Sequence, residues 1–285
     1  LTKAVENDAY DDKAVFARGL AKEMMHDLKG AIDDYTKGLQ LNPYNSEYYF
    51  RSGRVKSKLH DSTGCIQDYT QAIQLDSNHV DAYYNRAGAR SDLRDYRGVI
   101  QDYTKVLQLD PGNIDALNNR GVANVKLKQY NEAIQDFTQV ILTESSYIQA
   151  YSNRGEVYVR LKQYEDAITD CTKAIELDSS KTVAYQIRAD AKVGLLDFES
   201  AIKDITTSLK YLPTDKYLFY DRGNAKAKIK DYNGALQDFT RAIKIDQKFT
   251  SAYEKRGYVK AVKGDYAGAI QDFSTVLQFE PTNAT

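Results

Sequence analysis

Residues 80–113 read VDAYYNRAGARSDLRDYRGVIQDYTKVLQLDPGN, and this stretch decides the fold. It holds two segments of helical periodicity. In the first, Tyr83, Ala87 and Arg90 recur at i, i+4 and i+7; in the second, Val99, Ile100, Tyr103, Val106 and Leu107 form a wide apolar stripe. Asp95 stands where the N-cap of the second helix belongs, and Asp110-Pro111-Gly112-Asn113 is a stop and a turn. The stretch predicts helix–turn–helix, with helices of roughly 12–14 residues, an ordinary length.

Blocks of the same length lie on either side of it. Residues 12–45, 46–79, 114–147, 148–181, 182–215, 216–249 and 250–283 align with 80–113 without insertion or deletion, giving eight tandem 34-residue repeats. One column reads Gly19, Gly53, Ala87, Gly121, Gly155, Ala189, Gly223, Gly257. Another is aspartate throughout, from Asp34 and Asp68 to Asp238 and Asp272, and all four prolines share one phase. Asp27, Asp61, Asp197, Asp231 and Asp265 share the capping column of Asp95. A period of this length means stacked units on one continuous core, so the expected class is an all-α solenoid. The Gly/Ala column strips bulk from the first helix, which lets the paired helices cross near the low end of the usual ~8–10 Å separation.

This pattern resembles the tetratricopeptide repeat family. The resemblance rests on the period, an aromatic near the start, Gly/Ala in the first helix, Ala–aromatic–Ala in the second and proline at the end, over essentially the whole chain. There are departures. Tyr49, Tyr83, Tyr151, Tyr185 and Tyr253 replace the family's early tryptophan, and Arg18, Arg86, Arg120, Arg154, Arg188, Arg222 and Arg256 replace a leucine before the glycine. The resemblance implies a right-handed superhelix with first helices lining a concave face, and a protein or peptide ligand.

The arginine and aspartate columns both adjoin core columns, and a buried charge needs a partner, so repeated Arg–Asp pairs are expected. Ser52 interrupts the arginines. Pairing of Asp68 with Arg86 would make the bond inter-repeat, and a solvated Asp68 would make it intra-repeat. At the start, Leu1-Thr2-Lys3-Ala4-Val5 matches Tyr35-Thr36-Lys37-Gly38-Leu39, so 1–11 read as half a repeat, the end of a preceding second helix. The expectation is one segment of a longer array, or ends covered by another chain. Asn283-Ala284-Thr285 matches a glycosylation triplet, a short pattern that is common by chance.

No catalytic constellation is found, so the chain is not expected to be an enzyme. His26, His60 and His79 fall at turn phases, no Cys/His spacing suggests a metal, and no phosphate-binding loop or nucleophile elbow implies a cofactor. Cys65 and Cys171 occupy apolar columns and read as core residues, too far apart for a disulfide. A net charge of −1 argues against nucleic acid. No apolar run approaches the ~20 residues that span a bilayer, so membrane insertion is not expected. Nothing fixes a compartment, and the cytoplasm is the default.

What remains is a surface. Asn85, Asn119 and Asn153 form a short ladder in the column expected to face the groove. An amide both donates and accepts, so it can grip a peptide backbone. The next column adds Phe50 and Tyr84 with Arg51 and Arg54 beside them, and a second cluster holds Tyr217, Tyr220 and Tyr258. Aromatics and arginines are favoured contact residues. The family's carboxylate clamp would open with a lysine in the Phe16/Phe50/Tyr84 column, which has none. The leading expectation is a scaffold that binds an extended peptide or partner domain. The alternatives are a substrate-recruiting arm of a larger enzyme and a module that self-associates through its ends.

Overall fold

Polar caps punctuate this sequence, and in the computed structural model, which describes residues 11–280, sixteen helices follow that punctuation. The chain packs as two units, one ending at Glu144 and one beginning at Ser145. The first holds α1 (Asp12–Met24), α2 (Leu28–Leu41), α3 (Ser46–Lys58), α4 (Ser62–Leu75), α5 (Val80–Asp92), α6 (Tyr96–Leu109), α7 (Ile114–Lys126) and α8 (Tyr130–Thr143). The second holds α9 (Ile148–Arg160), α10 (Tyr164–Leu177), α11 (Thr182–Gly194), α12 (Phe198–Tyr211), α13 (Lys216–Lys228), α14 (Tyr232–Ile245), α15 (Thr250–Val262) and α16 (Tyr266–Phe279). Odd helices are first helices and even ones second helices. The half repeat read in Leu1–Tyr10 and the Asn283-Ala284-Thr285 triplet lie outside the described residues.

Each pair is joined by the same corner. At α3–α4 the His60 N–H donates to the Ser57 carbonyl and the Asp61 N–H to the Lys56 carbonyl, both at 3.0 Å. This is the double closure of a Schellman stop. Asp61 then caps α4 by accepting the Gly64 N–H at 2.8 Å. Asp27, Asp95, Asp197, Asp231 and Asp265 repeat that cap. The corner needs one left-handed residue, and His26, His60, Arg94, Lys128, Lys162, Leu196 and Lys230 adopt it at φ of 60–65°, where only the last corner has glycine, Gly264. Leu196 is 73% exposed, so its side chain contributes little packing there. Leu196→Gly is expected to stabilise by about 0.5–1 kcal/mol, the relief of a left-handed Cβ less the added freedom of the unfolded chain. A midpoint in urea that does not rise would refute this.

Packing within a pair follows the small-residue columns. Ala31, Cys65, Val99, Ala133, Ala167, Ala201 and Ala235 are buried where second helices meet their neighbours. A Cβ placed on Gly121 would lie 2.6 Å from Phe137 Cε1, so glycine is what lets the ring sit there. Tyr35, Tyr69, Phe137 and Phe239 fill the same column of the second helices and are almost fully buried. Cys65 and Cys171 are free and buried, and burial pushes their thiols up to about 11 and about 12, which makes them unreactive core residues.

Candidate partner-binding face

The arginine column is structural. Arg18, Arg86, Arg120, Arg154, Arg188, Arg222 and Arg256 pair with the aspartate of their own repeat at 2.5–2.7 Å. The bond is intra-repeat, but Asp68 meets neither expectation set for it. It accepts from Ser52 at 2.6 Å and pairs with Lys56 at 2.7 Å, both in its own repeat. The reason is a second polar column one turn further on. Lys22, Arg90, Lys192, Lys226 and Lys260 reach the same aspartates at 2.7–2.9 Å, and Asn124 reaches Asp136 at 3.1 Å. A third contact faces backwards. Arg86, Arg120, Arg188, Arg222 and Arg256 donate to Thr70, Thr104, Thr172, Thr206 and Thr240 of the preceding repeat at 3.0–3.2 Å. Each guanidinium therefore ties two repeats together.

The electrostatics follow the partners. Burial opposes ionisation of Asp34 and Asp272, yet hydrogen bonds from an arginine and a lysine each hold both carboxyls below the usual range. Asp170 goes the other way. Burial dominates and raises its carboxyl, because Arg154 is its one cationic partner and Tyr158 stands where most other repeats have lysine or arginine.

In the first unit the residues singled out from sequence form two separate groups. Phe50 is 5% exposed, with its ring against His79 at 4.6 Å and Tyr69 at 6.0 Å. It is a core residue, because the histidine that precedes α5 covers it. Arg51 pairs with Glu47 at 2.6 Å and Arg54 with Glu23 at 3.4 Å, and both guanidinium carbons lie within 6 Å of the Phe50 ring. Glu23 is buried and also takes Lys58 at 2.7 Å and the Tyr35 hydroxyl at 3.1 Å. The second group surrounds Asn119, whose amide donates to the Tyr84 hydroxyl at 3.2 Å and the Tyr103 hydroxyl at 3.4 Å. The Asn85 amide donates to the Asp81 carbonyl of its own helix at 2.7 Å, and the residue is half-buried. Beside Asn119 lies a hollow of about 300 Å³ floored by Tyr96, Val99 and Tyr103, which Gly88 leaves open.

In the second unit Asn153 is half-buried on α9. Tyr217 is 58% exposed and Tyr258 65% exposed, whereas Tyr220 is half-buried against Phe239 and Phe249. Lys216 lies over the Tyr217 ring at 4.9 Å and pairs with Asp246 at 2.5 Å. Asp221 sits with Tyr217 and Tyr220 on α13, as the sequence places it, whereas sequence reading missed Asp190 of α11, whose charge acts on it. Asp221 has an exposed surface, yet the surrounding protein desolvates it, and Asp190 and Asp215 add repulsion, pushing its carboxyl up to about 6. A carboxyl raised in the folded state costs stability when ionised, fully above pH ~6, and the cost fades as pH falls toward the ordinary value near 4. Asp221→Asn is expected to gain about 0.5 kcal/mol at neutral pH, small because water screens an exposed group. Chemical denaturation near pH 4 should show no gain; an equal gain at both pH values would exclude titration of Asp221 as its cause.

These features define a protein of stacked helix hairpins whose first helices present side chains not consumed by packing. Tetratricopeptide repeat sequence models match residues 46–79 and 80–113, 102–135, 148–181 and 220–284. The chain belongs to the tetratricopeptide repeat family. Among solved structures it is similar to a tetratricopeptide repeat protein from Parabacteroides merdae, with 19% identity over 87% of this chain and 98% of that one and a TM-score of 0.64. It is also similar to the C-terminal part of a repeat-containing protein from Cytophaga hutchinsonii, with 17% identity, 82% and 96% coverage and a TM-score of 0.70. A third is YrrB, described as a TPR protein with an unusual peptide-binding site, with 23% identity, 65% and 95% coverage and a TM-score of 0.55. At these identities the likeness establishes the fold alone. No curated protein sequence matches the chain. Among the described residues no helix is long and apolar enough to cross a membrane.

Proposed function

We infer that the chain is a binding scaffold without catalysis of its own, which takes an extended peptide or a partner domain along the face of its first helices. One observation carries this reading. The second helices bury the aromatic column of Tyr35, Tyr69, Phe137 and Phe239, whereas the first helices leave Tyr217 and Tyr258 more than half exposed beside polar side chains. Exposed aromatics on a face of amides and charges are the residue types that anchor partner contacts. YrrB, with its peptide-binding site, is a relative in fold and supports the same class of role.

The experiment is a selection from a displayed library of unstructured peptides, followed by titration of the binders against the wild-type chain. Asn85→Ala, Asn119→Ala and Asn153→Ala combined are expected to weaken them by about tenfold, the loss of one or two net hydrogen bonds. The circular dichroism spectrum should be unchanged. Unaltered affinity removes the asparagines from the binding face.

A second reading is self-association, favoured by α16. Tyr266, Ile270, Phe273 and Leu277 form an exposed stripe there, with exposures from 38 to 68%, in columns that other second helices bury or half-bury. Sedimentation that depends on concentration, and that loses this dependence with Ile270→Lys, would establish it.

A further inference from the structure

The second unit contains an apolar cleft of about 640 Å³ between α13, α14, α15 and α16. Tyr258, Val262 and Phe273 line it and are 65%, 49% and 38% exposed, above the buried Phe239 and Val259. Its volume falls in the range of preformed binding sites, roughly 300–1,000 Å³, so a bulky side chain fits. The rim is cationic. Lys228 and Lys230 are exposed, and neither makes an ion pair among the described residues. Lys255, half-buried, meets the exposed Glu254 at 3.7 Å, a long contact at the surface that neutralises little. Three ammonium groups thus face one carboxylate around an apolar floor.

We propose that this cleft docks an aromatic or branched aliphatic side chain of a partner segment that carries aspartate or glutamate on both sides of it. The proposal rests on the binding reading above and gives it a ligand chemistry. The floor buries apolar surface, while the rim attracts acidic flanks and repels basic ones. A nucleic acid would also satisfy the lysines and could stack on Tyr258, but the net charge of −1 supplies no wider basic surface for a phosphate backbone, so the acidic peptide is favoured.

The probe is a fluorescein-labelled, end-blocked peptide with one phenylalanine between short runs of aspartate and glutamate, read by anisotropy with the whole chain. Binding is expected, and it should weaken steeply as salt is added. Lys228→Gln, Lys230→Gln and Lys255→Gln together should weaken it by about tenfold, as should alanine in place of the probe's phenylalanine. All three lysines are on the surface, and an unchanged melting curve checks the variant. Equal binding of a peptide with lysine in place of its acids, tighter binding of oligothymidylate, no binding, or indifference to the triple variant would each overturn the proposal. The triple asparagine variant separates the two readings. A probe lost there but insensitive to the cleft lysines sinks the cleft and leaves the binding face. A probe sensitive to the lysines but not to the asparagines supports the cleft and removes the ladder.

Discussion

Gly121→Leu is expected to destabilise the helix pair α7–α8 by about 3 kcal/mol, the upper part of the usual overpacking range. The Cβ alone would sit 2.6 Å from Phe137, a fully buried ring with no room to retreat. Alanine is the informative control. Ala87 holds the same register opposite Tyr103, so one methyl is accommodated there when the opposed ring lies differently. Gly121→Ala should therefore cost less, and Phe137→Leu should recover part of the loss in the leucine variant. In a stacked array the damage is local first, so amide hydrogen exchange over 114–147 is the measurement. Protection indistinguishable from wild type would mean that α7 and α8 do not cross as described.

Arg154→Leu is expected to lose about 3–5 kcal/mol at neutral pH, the usual cost of leaving a buried carboxylate without its partner. Asp170 is the sharpest site for this test, because burial already raises its carboxyl and the other aspartates named above have a second polar partner in their own repeat. The pH dependence has a fixed sign. Without Arg154 the folded state favours protonated Asp170 more strongly, so the penalty is full at neutral pH and shrinks as the solution is acidified. Asp34 and Asp272, held low by their cations, behave oppositely, and their contribution disappears as pH falls below the ordinary aspartate value. Urea midpoints of wild type and variant should converge from pH 7 toward pH 5. A constant gap would show that lost packing, not the uncompensated charge, is responsible.

Much of the architecture was legible because it depends on short-range rules repeated many times. The glycine column, the capping aspartates and the Arg–Asp pairing are each fixed by residues within one block, so one repeat could be read from another. The partners of the aspartates were read only in part. Lys56 lies four residues beyond Ser52, on the same side of α3, and its column of Lys22, Arg90 and Lys192 signals the second partner that keeps Asp68 satisfied. The threonine column carried a similar signal, since Thr36, Thr70, Thr104 and their equivalents recur opposite the arginines.

The candidate site was less legible, because exposure is set by neighbours that the periodicity does not specify. Phe50 shares a column with the half-exposed Tyr84, and the difference is His79, which lies over one ring and has no counterpart over the other. Asn119 looks like a free amide in sequence, but Tyr84 and Tyr103 reach it from two other helices. Asp221 shares the column of Asn85, Asn119 and Asn153, whereas Asp190 belongs to a column that also holds leucine, arginine, glycine, valine, glutamate, asparagine and tyrosine, so nothing in the pattern marks Asp190.

The joint between the first two blocks has a consequence for recombining this chain. Elsewhere within the two units an arginine reaches back to a threonine, a coupling that any block with both residues can offer to any other. Ser52 cannot reach back in that way, and there Glu23 gathers Arg54 and Lys58 from the following block instead. Serine, valine or alanine stands at the position of Glu23 in every later block. Residues 80–113 and the later blocks are thus spare parts with a common fitting, whereas 12–45 and 46–79 are a keyed pair. Shuffled arrays should keep that pair together, because separating it strands a buried glutamate on one side and two cations on the other.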